Sequence, residues 1–252
     1  MVNFMEKKIR ILWINPVSGT SEFDGKIKRI LDSLKRNDVE VTVTSLSKGP
    51  PHLEYKSYEP LILVETLEKI VEAERNGYDA VVIGCFDDPG LQEARELVNI
   101  PVIGPGETCM HIACTLGHKF SIVTVKKEAL ARLEDHVFMY GLEKKVASFR
   151  FVNIGVMEME KDPEKVYKAI LREAKKAIEE DDAEVIVLGC TGETGFVEKL
   201  IEELKVPVLD ATVVSFKFAE MLADLKKKTG LSHSKVYGYR SPSKDEMLIG
   251  VL

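Results

Sequence analysis

The sequence predicts an α/β fold of two pseudo-symmetric, duplicated halves, each a parallel sheet flanked by helices. Three observations predict it. Short apolar strand-like runs alternate with helically spaced ones from end to end. One strand–loop–helix segment recurs about half a chain later. The 252 residues are enough for one large domain or two small ones, with a core that needs no staples.

The first run, Ile9-Arg10-Ile11-Leu12-Trp13-Ile14, is short, apolar and bounded by Asn15-Pro16, as a buried strand is. Residues 24–36 place Ile27, Ile30, Leu31 and Leu34 at helical spacing. Residues 39–44 alternate as a strand, and Pro60 opens a helix that runs to Asn76 and stops at Gly77. Residues 79–84 form another buried strand, a helix follows Pro89, and Val102-Ile103 is a short strand. Gly104-Pro105-Gly106 lacks the lysine of a phosphate loop and reads as a turn into a helix over residues 107–116, with Glu107 in its first turn.

The second half repeats the rhythm. Strands are predicted over 119–125, 147–152, 184–189 and 208–209. Helices are predicted over 127–140 (stopped by Gly141), from Asp162-Pro163 to 180, over 195–204 and over 211–228. Phe138, Met139 and Tyr140 fit a core helix face, the acidic runs 158–162 and 179–182 a solvated surface, and the last twenty polar residues, with Arg240-Ser241-Pro242, a docked tail.

The repeat is the most informative feature. Tyr78-Asp79-Ala80-Val81-Val82-Ile83-Gly84-Cys85 aligns with Ala183-Glu184-Val185-Ile186-Val187-Leu188-Gly189-Cys190, a shift of 105 positions. Each cysteine is followed by a loop, a helix and an x-Pro-Val step, at Pro101 and Pro207, 16 and 17 positions downstream. We therefore expect a first unit of residues 1–104 with 211–252 carrying Cys85, and a second of residues 105–210 carrying Cys190. Open parallel sheets bind ligands beyond the carboxyl ends of their strands. Two units facing each other would put one cysteine on each wall of a single cleft.

Composition narrows the partners. With 35 Lys and Arg against 41 Asp and Glu the net charge is −6, which argues against a nucleic-acid or anionic-membrane surface as the main partner; the partner expected is a small-molecule substrate. No apolar run reaches membrane-spanning length, and the first residues lack a signal-peptide pattern, so a cytoplasmic protein is expected. Four cysteines in a reducing compartment are core residues, metal ligands or reactive groups rather than a disulfide scaffold.

Inverting a carbon acid requires a base on one face and an acid on the other. Free thiols titrate near about 8.5, so a thiolate and a thiol can coexist near neutrality. Backbone N–H groups of the loop and helix start after each cysteine favour the thiolate and can hold an enolate oxygen. A lone strand-end cysteine reads as a small buried hydrophobe; two at equivalent repeat positions, each after a glycine, do not. Cys109 and Cys114 have no repeat counterparts and read as helix packing, since with His111 they lack the ligand spacing of a zinc site. The five histidines sit in no motif and read as surface or hydrogen-bonded residues. No pyridoxal lysine motif, metal cluster or GxGxxG fingerprint is found, so no cofactor or metal is expected.

The chain resembles the aspartate/glutamate/hydantoin racemase superfamily from about residue 9 to residue 225, and within it the hydantoin racemases. The specific segment is Gly84-Cys85-Phe86-Asp87-Asp88-Pro89-Gly90-Leu91, with Pro101-Val102-Ile103-Gly104 and Gly106-Glu107. Glutamate and aspartate racemases usually carry Cys-Asn-Thr at the first cysteine, which this chain lacks. The resemblance implies a cofactor-independent racemase of 5-substituted hydantoins or allantoin-like ureides, forming homo-oligomers, with Cys85 and Cys190 as the acid/base pair. Asn15, Phe86, Asp87, Thr124, Thr191 and Gly192 are implied to contact substrate. Val17 and Val125 replace an Asn and a Thr of the family pattern, pointing to a more apolar pocket or a different substrate. Decarboxylating relatives typically lack one of the two cysteines; both are present here. Two other readings stay open: an aspartate- or glutamate-type amino-acid racemase, and a non-catalytic small-molecule-binding or thiol-sensing protein on the same scaffold.

Overall fold

The computed structural model describes residues 8–19 and 21–243. Two four-stranded sheets organise the chain. The first joins β1 (Ile9–Ser18), β2 (Val39–Leu46), β3 (Ala80–Ile83) and β4 (Val102–Ile103) in the order β2-β1-β3-β4. The second joins β5 (Phe120–Thr124), β6 (Val146–Phe151), β7 (Val185–Leu188) and β8 (Val208–Asp210) in the order β6-β5-β7-β8. Every strand pair is parallel and the two orders are the same, so the repeat in the sequence is a repeat of topology.

Helices cover both faces of each sheet, which is why β3 and β7 are apolar at every position. Leu12, Ile14, Val81 and Ile83 pack with Ile70 and Ala73 of α2 (Leu63–Arg75) and Ala94 of α3 (Leu91–Leu97). Ile11, Trp13 and Val82 on the opposite face meet Ile27 and Leu31 of α1 (Ser21–Leu34). In the second sheet Val123, Ile186 and Leu188 pack against α7 (Pro163–Asp181) and α8 (Val197–Leu204). The other face of that sheet holds α5 (Leu130–Met139).

The last helix of each half crosses over. α4 (Pro105–Leu116) follows the first sheet but buries Cys109, Met110 and Ala113 against Ile122 and Val187 of the second. α9 (Ala211–Thr229) follows the second sheet but buries Phe216, Ala219 and Ala223 against Trp13 and Val82 of the first. Residues 231–243 then return along the edge strand. The Val102 amide donates to His233 Nε2 at 2.9 Å, and Lys235 and Ser241 donate to carbonyls of α3.

Some elements differ from expectation. Pro60 lies inside a 3-10 turn, Lys56–Leu61, and α2 begins only at Leu63. β1 runs past Pro16 to Ser18, because β2 continues beside it through a bulge after β3 has ended. The segment after β5 starts with a 3-10 turn, Lys127–Ala129, before α5, and α8 starts at Val197 rather than at 195. Phe138 and Met139 are not core residues: they are 73% and 48% exposed. α5 buries Arg132, Leu133 and Val137, and that phase turns 138 and 139 outward. Among the described residues no helix is long and apolar enough to cross a membrane.

Candidate active site

The two cysteine loops share one local geometry. Each strand ends in a glycine whose N–H donates to the neighbouring central strand, Gly84 to Ile14 O and Gly189 to Val123 O, both at 2.7 Å. A side chain at either glycine has no room. A Cβ on Gly84 would stand 2.9 Å from Asn15 Oδ1 and closer still to the Trp13 indole, and one on Gly189 would stand 2.7 Å from Thr124 Cβ. The cysteine carbonyl then accepts the N–H three residues on, Asp88 to Cys85 at 3.1 Å and Glu193 to Cys190 at 3.0 Å. The Cys190 sulfur accepts the N–H two residues on, from Gly192 at 3.4 Å.

Both cysteines are half-buried and free, and both line the same cavity of about 380 Å3. Its walls are Val17, Phe23 and Leu53 from the first half and Val156, Met157 and Met159 from the second, with Thr191 and Gly192 beside Cys190. Val156 and Met159 belong to α6 (Val156–Met159). Glu22, Lys26, His52 and Glu160 line it as well. A second chamber of about 60 Å3 is lined by the same two cysteines with Phe86, Asp87, Thr124, Val125 and Arg132. The cysteines therefore stand where an apolar chamber meets a small one that has an ion pair in its wall. Val17 lines the larger and Val125 the smaller.

Asn15 lies outside both chambers, fully buried, its amide oxygen accepting from Trp13 Nε1 and its amide nitrogen donating to Asp24, each at 2.6 Å. Thr124, at the equivalent place in the second half, donates to Gly189 O at 2.9 Å. Asp87 pairs with Arg132 Nη2 of α5 at 3.1 Å. The Thr191 hydroxyl reaches across to Gly84 O at 3.0 Å. Glu54, absent from the sequence-based candidates, accepts from Lys126 at 3.3 Å and from the Val156 amide at 3.1 Å, closing the first half onto the second.

Electrostatics keep the site protonated. Burial pushes the Cys85 thiol well above its ordinary value and Asp87 adds to the effect; burial, then Glu193, pushes Cys190 up to about 12, against the Gly192 N–H. The acids three residues after the cysteines are equivalent too. Asp88 is raised to about 7 by burial, although the Tyr140 hydroxyl and the Glu107 and Gly106 amides donate to it and cap α4. Glu193 has no such cap to make, because Asp210 occupies the first amides of α9. Its carboxyl is buried with no hydrogen-bond partner among the described residues and is pushed far up by burial and by Asp210.

The sequence-based candidates omit Leu53, Arg132 and the α6 side chains. Val156, Met157 and Met159 carry a weak signal, three large apolar residues beside an acidic run. One histidine departs from the surface or hydrogen-bonded reading: His136 Nδ1 is buried with no partner among the described residues, whereas His52, which lines the main cavity, accepts from the Glu54 amide at 3.4 Å.

Similarity over nearly the whole chain defines the class, a racemase and hence an isomerase on a duplicated α/β scaffold. Residues 11–219 match the family described as Asp/Glu/Hydantoin racemase, and the chain belongs to that family. It is 40% identical over 238 residues to the hydantoin racemase of Pseudomonas sp. (strain NS671), covering 94% of each chain. It is 34% identical to the hydantoin racemase of Paenarthrobacter aurescens, covering 95% of this chain and all of that one. Among solved structures, allantoin racemase from Klebsiella pneumoniae superposes with a TM-score of 0.87 at 31% identity, over 94% of this chain and 95% of that one.

Proposed function

We propose that this protein racemises 5-substituted hydantoins without a cofactor, Cys85 and Cys190 serving as base and acid from opposite faces of the ring C5. The observation that carries this is the placement of both sulfurs on one cavity, each at the end of an equivalent strand and each in a loop closed by an equivalent bond from the N–H three residues on to the cysteine carbonyl. A thiolate of one cysteine takes the C5 proton, and the C5–H electrons move onto the adjacent ring carbonyl as an enolate. Loop N–H groups stabilise the developing charge, and the thiol of the other cysteine then donates its proton to the opposite face. The enzyme is left with base and acid exchanged. Thiols raised by burial suit this task, because a more basic thiolate lies closer in proton affinity to a carbon acid.

The larger chamber supports an apolar C5 substituent, since Val17, Phe23, Leu53, Val156, Met157 and Met159 offer no hydrogen-bonding side chain. An allantoin-like ureide is the second reading, favoured by the likeness to allantoin racemase. Asp87, Thr124, Arg132 and the Thr191–Gly192 backbone would meet the polar ring. A circular-dichroism assay with single enantiomers of 5-benzyl- and 5-isobutylhydantoin, allantoin, aspartate and glutamate tests the assignment. Racemisation of the apolar hydantoins ahead of allantoin, with no turnover of the amino acids, is expected. Turnover confined to the free amino acids, or none at all, would overturn it.

A further inference from the structure

Phe86 follows Cys85 and Thr191 follows Cys190, so of the two equivalent positions only the second carries a hydroxyl. That hydroxyl does not point to its own half. It donates to Gly84 O, the carbonyl immediately before Cys85, at 3.0 Å. The carbonyl of Thr191 accepts the Thr212 hydroxyl at 3.1 Å. Thr212 is fully buried in the first turn of α9, where its amide donates to Asp210 at the end of β8 at 2.8 Å. The acceptor end is equally fixed: Gly84 donates to Ile14 O and is walled in by Trp13 and by Asn15, itself held by Asp24. Thr191 is thus fixed to its own half through its carbonyl and to the Cys85 half through its hydroxyl, by a bond whose two ends each adjoin a cysteine.

We propose that Thr191 is a positioning residue that sets the separation of the two sulfurs, its hydroxyl bond to Gly84 O acting as the spacer between acid and base. This rests on the two-cysteine reading above. Proton abstraction needs only one sulfur near C5, whereas inversion needs the second sulfur within reach of the opposite face in the same encounter. Loosening the spacer therefore harms inversion more than abstraction, a distinction that a general loss of folding or of substrate affinity would not produce.

The test compares wild type with Thr191→Val, which keeps the shape and removes the donor, and Thr191→Ser, which keeps the donor. With one enantiomer of a hydantoin in D2O, two rates are followed: inversion by circular dichroism, and deuterium entry at C5 of the unreacted enantiomer by mass spectrometry. For Thr191→Val we expect kcat for inversion to fall about 10- to 100-fold, the scale of a small misplacement of reacting groups, with KM within about threefold. Deuterium entry per inversion should rise several-fold, and Thr191→Ser should return both readings to within about threefold of wild type. Unchanged inversion in Thr191→Val would overturn the proposal. So would parallel loss of inversion and exchange with a raised KM, which would make the hydroxyl a substrate ligand, or failure of Thr191→Ser to restore the ratio. Absence of racemisation in wild type would instead defeat the functional reading itself, before any variant is compared.

Discussion

Glycine, not cysteine, is the residue with least freedom at this site. Gly84 and Gly189 let Trp13, Asn15 and Thr124 close over the strand ends, so alanine at either place must displace a buried side chain. Gly84→Ala is expected to lower unfolding free energy by about 1–3 kcal/mol, as overpacking of a core does, measured by urea denaturation; an unchanged midpoint would contradict the packing described. The thiols predict a pH dependence. Both are held above the ordinary value, chiefly by burial, so the thiolate fraction is small near neutrality and grows about tenfold per pH unit. Initial rates should therefore show kcat/KM rising between pH 7 and 9, and a flat or falling profile would contradict a thiolate base. The unfolded chain ionises its cysteines near about pH 8.5 while the folded chain resists, so the same two groups make stability fall as pH climbs above that value.

Among the elements, the strands and the two cysteine loops are legible in the sequence because each combines an apolar run with a repeated glycine–cysteine end. Residues 47–62 and 152–162 are not. They have no periodicity, and although they occupy equivalent places after β2 and β6 their sequences are not alike, yet they bring Leu53, Glu54, Val156, Met157 and Met159 to the cavity. Arg132 is also hidden, since on a helix it reads as a solvated charge until Asp87 is brought to it from 45 positions upstream. The tail carries its own prediction. His233 accepts a hydrogen bond from Val102 only while neutral, and burial, with Arg95 nearby, lowers it to about 4 against roughly 6.5 when unfolded. Its contribution is present above about pH 6.5 and is lost as pH falls through about 4. Protection of the Val102 amide in hydrogen exchange, corrected for intrinsic rates, should accordingly decline between pH 6.5 and 4; constant protection would contradict this account of tail docking.

At the scale of the whole molecule the two halves are held together by contacts that include a set beside the cysteines: Thr191 to Gly84, Asp87 to Arg132, Tyr140 to Asp88, and Glu54 to Lys126 and Val156. The crossing of α4 and α9 onto opposite sheets ties the same halves from behind. Glu54→Ala leaves the Val156 amide and the Lys126 ammonium without this partner. It is expected to cost about 1–3 kcal/mol in a urea melt and to raise KM; wild-type values for both would contradict the closing role of Glu54. The central claim is that one stereocentre lies between two sulfurs, and the most direct measurement is deuterium entry at C5 in D2O for each enantiomer of a hydantoin with Cys85→Ala and Cys190→Ala. The account predicts that neither variant inverts the substrate and that each exchanges the C5 proton of one enantiomer only, the two variants choosing opposite ones. Inversion at the wild-type rate in either variant, or exchange of the same enantiomer by both, would contradict it.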